Sequence, residues 1–213
     1  MTFIRTATPE EADTVVTAMY LRQQAAWGFV PNYAKVFSHR PEVLARWGKL
    51  LAEIKRPMSL RRFELVTFAA AHELSNSACT LAHGRKLREF FGDDGIVAIA
   101  ANRLGALSDA EQAMVDFARQ VVRDASRVTA AQVEALKAHG LSDAEVFDIA
   151  ATVSARAFWT GIVESLGVEP EPPFHDLEHE FRKTMTVGRP FPKDANGHGA
   201  TAPPTNGRLP AGA

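Results

Sequence analysis

Ser108-Asp109-Ala110-Glu111-Gln112-Ala113-Met114-Val115-Asp116-Phe117-Ala118-Arg119-Gln120-Val121-Val122 is the stretch that decides the fold. Ser108 and Glu111 have the spacing of a capping box, in which each side chain satisfies a free amide of the other residue. Behind them Ala110, Ala113, Met114, Phe117, Ala118, Val121 and Val122 return at i, i+3, i+4 and i+7, the period of a helix with one apolar face. The signature repeats down the chain. Thr129-Ala130-Ala131-Gln132 predicts a helix closing at Gly140. Ser142-Asp143-Ala144-Glu145 predicts a long one running through Val146, Ile149, Ala150, Val153 and Phe158 to Leu166-Gly167.

Upstream the signals are of the same kind. Pro9-Glu10-Glu11 opens a segment carrying Ala12, Val15, Val16, Met19 and Leu21. Pro41 stands in a first turn, where its missing N–H costs nothing, and Val43, Leu44, Trp47, Leu50, Leu51 and Ile54 follow at helical spacing. Ser59 caps a helix from Leu60 to about Leu74, and the next runs from about Ser75–Ser77 to Phe91, closed by Gly92. Ile96-Val97-Ala98-Ile99 has the composition of a strand, but its alanine-rich continuation favours helix. With no alternating strand–turn–strand pattern, the class expected is all-α. Glu169-Pro170-Glu171-Pro172-Pro173 stops the last long helix, and Asp176 to Thr184 is read as one more short helix. Residues 1–187 are expected to form a single multi-helix domain. Residues 188–213, rich in Gly, Pro, Ala and Asn, are expected to be a flexible or subunit-wrapping tail.

Composition sets the limits on function. The chain has 213 residues, 46% hydrophobic and 23% charged, with 24 basic and 25 acidic side chains. A balanced charge gives no one-signed field for nucleic acid or an anionic membrane. The Arg61-Arg62 pair and the Arg85-Lys86-Leu87-Arg88 run read first as solvated helix faces. No stretch is expected to span a membrane, and the N-terminus lacks the apolar core of a secretion signal. A single cysteine excludes an internal disulfide and suits a reducing compartment, so a cytoplasmic location is expected.

That cysteine stands in Ser75-Asn76-Ser77-Ala78-Cys79-Thr80-Leu81-Ala82-His83. Cys79 falls in the first turns of its helix, where the positive end of the dipole favours a thiolate. His83, four residues on, shares its face, and an imidazole beside a thiol lowers the thiol's pKa. Asn76 shares that face too. Glu64 lies on the preceding helix, whose continuation is apolar on every side, so its carboxylate needs a partner such as His83. The competing structural reading makes Cys79 a small buried hydrophobe and leaves Glu64 at the surface beside its cap. His72 and Glu73, near the same junction, lack metal-site spacing, so no metal and no cofactor are expected.

Gly28-Phe29-Val30-Pro31-Asn32, Lys35-Val36, Pro41-Glu42-Val43-Leu44, Arg61-Arg62-Phe63-Glu64-Leu65-Val66 and Cys79-xxx-His83 together resemble the carboxymuconolactone decarboxylase superfamily. The closer likeness is to its alkylhydroperoxidase D-like, peroxidase-related branch, and it extends through Leu107–Glu111 and Gly140–Glu145 across roughly residues 9 to 168. The resemblance implies an all-helical homo-oligomer, a trimer or hexamer. In the peroxidase branch a glutamate, a CxxC pair and a histidine four after its second cysteine form a proton relay. Glu64, Cys79 and His83 match three of these, while Asn76 occupies the place of the first cysteine. Asn76 cannot form the disulfide of a dithiol cycle.

Three functions follow as expectations. One is a single-cysteine reduction of a hydroperoxide by Cys79, with His83 and Glu64 moving the proton and an external thiol as reductant. Another is cofactor-free acid–base decarboxylation or isomerisation of a small lactone or carboxylate by His83 and Glu64, with Arg61, Arg62 and Asn76 holding the substrate. The last is a non-catalytic oligomeric binding protein.

Overall fold

A computed structural model describes residues 2–190, with Pro172 and His175 described in backbone only. Most of the expected tail, residues 191–213, lies outside the described residues. Within them the chain is helical and contains no strand.

The capping boxes start helices where the spacing places them. Those helices are α6 (Asp109–Asp124), α7 (Ala130–Ala138) and α8 (Asp143–Ser165), each with its reciprocal side-chain-to-backbone pair formed. Ahead of them come α1 (Thr14–Trp27), α2 (Asn32–Val36), α3 (Pro41–Lys55), α4 (Leu60–Glu73) and α5 (Ser77–Ala100). The start of α1 corrects the reading at Pro9: the residues there form a turn, and Asp13 caps the helix by accepting from the amides of Val15 and Val16. Within α5, Gly92 has φ 68°, so the first segment does end there, and Ile96–Ile99 belongs to the helical segment beyond the break. The last short helix, α9 (His179–Met185), begins three residues later than expected because Pro172–Asp176 forms a 3₁₀ turn first.

Helix α4 is the axis of the bundle. Every residue from Phe63 to Ala71 is buried, because α5, α6 and α8 pack around it. On one side Leu65, Phe68, Leu81, Leu87, Val115 and Ile149 form a core that α9 closes with Phe181 and Met185. On the other, Met19, Phe37, Trp47, Phe63 and Trp159 form a second core that contains Cys79.

Two details depart from expectation on α8. It is long and apolar enough, by length and composition, to cross a membrane, with a mean hydropathy of 1.3. In the fold it instead packs against α3, α4 and α6. Phe158, placed on its inward stripe by spacing, is 47% exposed, and the inward positions of that turn are taken by Arg156 and Trp159. A helix apolar around most of its circumference does not declare which face is buried.

The chain beyond α9 turns back onto the start of α5. Gly188 N donates to Ser77 Oγ at 3.0 Å, and a Cβ on Gly188 would stand 1.7 Å from the Ser75 carbonyl oxygen, so no side chain fits there. Arg189 then donates to the Glu164 backbone oxygen at 3.1 Å.

Candidate functional site

The site begins at a turn. Ser75 adopts φ 56°, which redirects the chain from α4 into α5, and Asn76 caps the new helix. Asn76 Oδ1 accepts from the Cys79 amide at 2.7 Å, while its Nδ2 donates to Glu164 Oε1 at 2.9 Å. Both ends of Asn76 are therefore engaged inside the protein. It forms part of the cavity wall, but as a cap and brace. Cys79 is the third residue of α5, a buried residue with 8% of its surface exposed, and His83 follows one turn later.

Glu64, fully buried on α4, meets His83 from the neighbouring helix. His83 Nδ1 donates to Glu64 Oε2 at 2.5 Å, and Lys86 Nζ donates to Glu64 Oε1 at 3.3 Å. Burial pushes the His83 imidazole down to about 4, against the pull of Glu64. Burial would raise the Glu64 carboxyl, but His83 and Lys86 overcome it and hold the group at about 2. At neutral pH the pair is thus a carboxylate and a neutral imidazole. The short contact to a carboxylate puts the imidazole proton on Nδ1, which leaves Nε2 as a base. Lys86, read from sequence as part of a solvated run, instead reaches inward and completes a three-residue relay.

The remaining charge comes from α8. Arg156, 4% exposed, donates from Nη1 to Cys79 Sγ at 3.5 Å, with its guanidinium 5.8 Å from the Trp47 ring. Burial raises the Cys79 pKa, and the Arg156 charge and hydrogen bond act against that rise.

Cys79, His83 and Arg156 open into one cavity of about 300 Å³, at the small end of ligand pockets. Its walls are aromatic. Trp47 stacks on Trp159 with centroids 4.3 Å apart, and Tyr33 meets Trp159 edge-on at 4.7 Å. Trp47 Nε1 is tied to the Ala155 oxygen at 3.2 Å, so the rings are fixed. Glu171 supplies a second carboxyl to the lining. Its Oε1 accepts from the Asn32 amide at 2.8 Å, and burial pushes its pKa up to about 7.

The sequence reading placed Cys79, His83 and Glu64 together, and the structure joins them in this one site. Arg61 and Arg62 do not enter it. Arg61 Nε donates to Glu111 Oε1 at 2.6 Å and lies over the Phe91 ring, and Arg62 pairs with Glu145. Both glutamates belong to capping boxes, so the two arginines brace α4 against the starts of α6 and α8. Among the described residues no group of three or more His, Cys, Asp or Glu side chains is arranged to hold a metal ion. Arg156, Tyr33, Trp47, Trp159 and Glu171 were not singled out from sequence. The available signal was a lone arginine inside an otherwise apolar helix, which must find a use for its charge.

The fold is that of the alkylhydroperoxidase D-like proteins. A peroxidase-related protein from Ralstonia eutropha JMP134, an alkylhydroperoxidase AhpD core, shares 24% identity at a TM-score of 0.68, covering 88% of this chain and 98% of its own. A second peroxidase-related protein, from Silicibacter sp. TM1040, superposes at 0.70 with 20% identity over 82% of this chain and 94% of its own. The debrominase Bmp8 superposes at 0.65 with 12% identity over 84% and 96%, and is also known as a cysteine-to-alanine variant in complex with 2,3,4-tribromopyrrole. No family model and no curated protein matches the sequence.

Proposed function

We propose that this protein is a single-cysteine thiol oxidoreductase that reduces a small organic hydroperoxide in the aromatic cavity. The observation that carries the reading is the Arg156 guanidinium donating to Cys79 Sγ in a cavity that the His83–Glu64–Lys86 relay also reaches. His83 Nε2 takes the thiol proton, and Arg156 and the helix dipole hold the thiolate. The sulfur attacks the terminal peroxide oxygen and the O–O bond breaks. Cys79 becomes a sulfenic acid, and the departing alkoxide takes the proton from His83 to leave as an alcohol. Because Asn76 offers no resolving thiol, two equivalents of an external thiol return Cys79 to its reduced state, releasing water and a disulfide. Dependence on an external thiol fits a reducing cytoplasm, and a homo-oligomer, trimer or hexamer, fits the family resemblance.

Excess alkyl hydroperoxide with a sulfenic-acid trap, followed by intact mass across pH 5 to 9, tests the reading. Trapping at Cys79 that is abolished in His83→Ala supports it. A thiol that stays unoxidised at pH values where free thiols react refutes it.

One observation favours a second reading. Burial raises the Cys79 pKa, which suits a thiol that only lines the wall while His83 and Glu64 carry out acid–base chemistry on a carbon acid. That reading requires Cys79→Ser to retain turnover of a small lactone or carboxylate and His83→Ala to lose it. The reverse order of losses excludes it.

A further inference from the structure

The residues after α9 grip the first turn of the helix that carries Cys79. Gly188 N donates to Ser77 Oγ at 3.0 Å, and Ser77, the first residue of α5, is fully buried. Gly188 also lies against the Ser75 carbonyl, at the turn that redirects the chain from α4. Arg189 continues onto the end of α8. It donates to the Glu164 backbone oxygen at 3.1 Å, and its Nε stands 3.6 Å from Glu164 Oε2. Its guanidinium lies 5.0 Å from the Phe3 ring, and Phe3 is fixed in turn by its amide to the Leu166 oxygen at 2.9 Å.

Glu164 joins these contacts to the site. Its Oε2 faces Arg189, its Oε1 accepts from Asn76 Nδ2 at 2.9 Å, and Asn76 Oδ1 accepts from the Cys79 amide. One chain of contacts thus runs from Arg189 to Cys79. We propose that the residues after α9 are a strap that keeps Cys79 in its reactive form, with Arg189 as a positioning residue acting through Glu164 and Asn76. The inference rests on Cys79 being the reacting thiol and adds what controls it.

Two effects pass along the chain. The first is positional. Held by Arg189, Glu164 keeps the Asn76 amide turned with its oxygen toward Cys79, so α5 stays capped and its dipole stays directed at the sulfur. The second is electrostatic. Burial raises the Cys79 pKa, Arg156 opposes the rise, and the Glu164 carboxylate adds to it. Burial also pushes the Glu164 pKa up, and Arg189 draws it back by pairing with the anion. Arg189 therefore supplies the positive charge that offsets Glu164, so a thiolate does not face a bare carboxylate. His83 on α5, Arg156 on α8, Tyr33 on α2 and Glu171 in the cavity wall also face this site, and none of them is altered in the test.

The test is a pH titration of the full chain, followed by the ultraviolet absorbance of the thiolate. Cys79 is the single cysteine, so subtracting the titration of Cys79→Ser isolates its signal. Arg189→Gln should raise the midpoint by about half to one pH unit, a thiolate fraction about three- to tenfold smaller at neutral pH. Arg189→Lys, which keeps the charge, should recover most of that shift. Gly188→Ala, which displaces the strap without removing a charge, should raise the midpoint in the same direction. In Glu164→Gln, which keeps an acceptor for Asn76, adding Arg189→Gln should move nothing. The assignment is overturned if Arg189→Gln leaves the midpoint in place, if its shift persists undiminished in Glu164→Gln, or if the unmodified protein forms no thiolate. The midpoint is read without peroxide. A strap-dependent thiolate that hydroperoxide fails to oxidise would therefore defeat the peroxidase reading and leave the strap standing.

Discussion

Glu171→Gln isolates the energetic cost of placing a carboxyl in the cavity wall. Glu171 Oε1 is anchored by the Asn32 amide, while Oε2 is buried without a partner. Burial raises its pKa from 4.5 to about 7, against the Asn32 and Tyr33 amides and the Lys35 charge. The folded state therefore holds a proton that the unfolded chain releases near pH 4.5, so the wild type loses stability as pH rises from 4.5 to about 7. At about 1.4 kcal/mol per pH unit the full loss is about 3 kcal/mol, or about 2 after allowing for partial solvent access to this half-buried group. Glutamine keeps the shape and the acceptor for Asn32 and removes the ionisation. Urea unfolding of both proteins from pH 4.5 to 8 measures it, because every other titrating group is common to both and cancels in the difference. The variant should gain about 2–3 kcal/mol on the wild type across that range. Parallel stability curves would show that Glu171 titrates as an ordinary surface carboxyl, and its burial in the cavity wall would not be what sets its pKa.

Glu64→Gln removes the anion that stabilises a His83 imidazolium. It should slow alkylation of Cys79 by about tenfold at neutral pH and displace the pH profile of that rate, which a purely structural residue would not do. Arg61→Ala should cost about 1 kcal/mol by releasing Glu111 and leave Cys79 alkylation unchanged, since it braces helices away from the cavity; slower alkylation would return it to the site. Ser142→Ala should lower stability by about 1 kcal/mol through loss of the α8 cap, with no effect on the cysteine, as denaturant unfolding would read. Gly188→Ala has no room beside the Ser75 carbonyl. It should free the residues after α9, measured as faster amide exchange at Gly188 and Arg189 with the core unaltered.

What was legible in the sequence follows from how local each determinant is. The starts of α6, α7 and α8 are written in four consecutive residues each, and the burial of α4 is written in the apolar residues that surround Glu64 and Thr67 and run on through residues 68–71. Cys79 and His83 share one helix face, and Glu64 is a carboxylate with few places to go, so this part of the site was also readable. Arg156 was not, because its meaning depends on its side chain reaching from α8 to Cys79, a contact 77 residues apart in the chain. Arg61 and Arg62 were assigned to substrate because their partners, Glu111 and Glu145, already had a local role as capping residues. A glutamate can cap with one oxygen and bind an arginine with the other, and spacing does not reveal the second use. Phe158 was turned inward by periodicity alone, on a helix where apolar residues face nearly every direction.

Asn76 has a consequence for how such a site can change by mutation. Its amide starts α5, sets the Cys79 backbone and holds Glu164, to which the Arg189 side chain also binds. A single substitution to cysteine would place a thiol three residues before Cys79, and in the same step it would remove the helix cap and loosen the segment after α9. The intermediate on that path is weakened before it gains a dithiol. Cap and second thiol are thus competing uses of one position, and residue 76 cannot take up the second use at full stability unless a neighbour first takes over the capping.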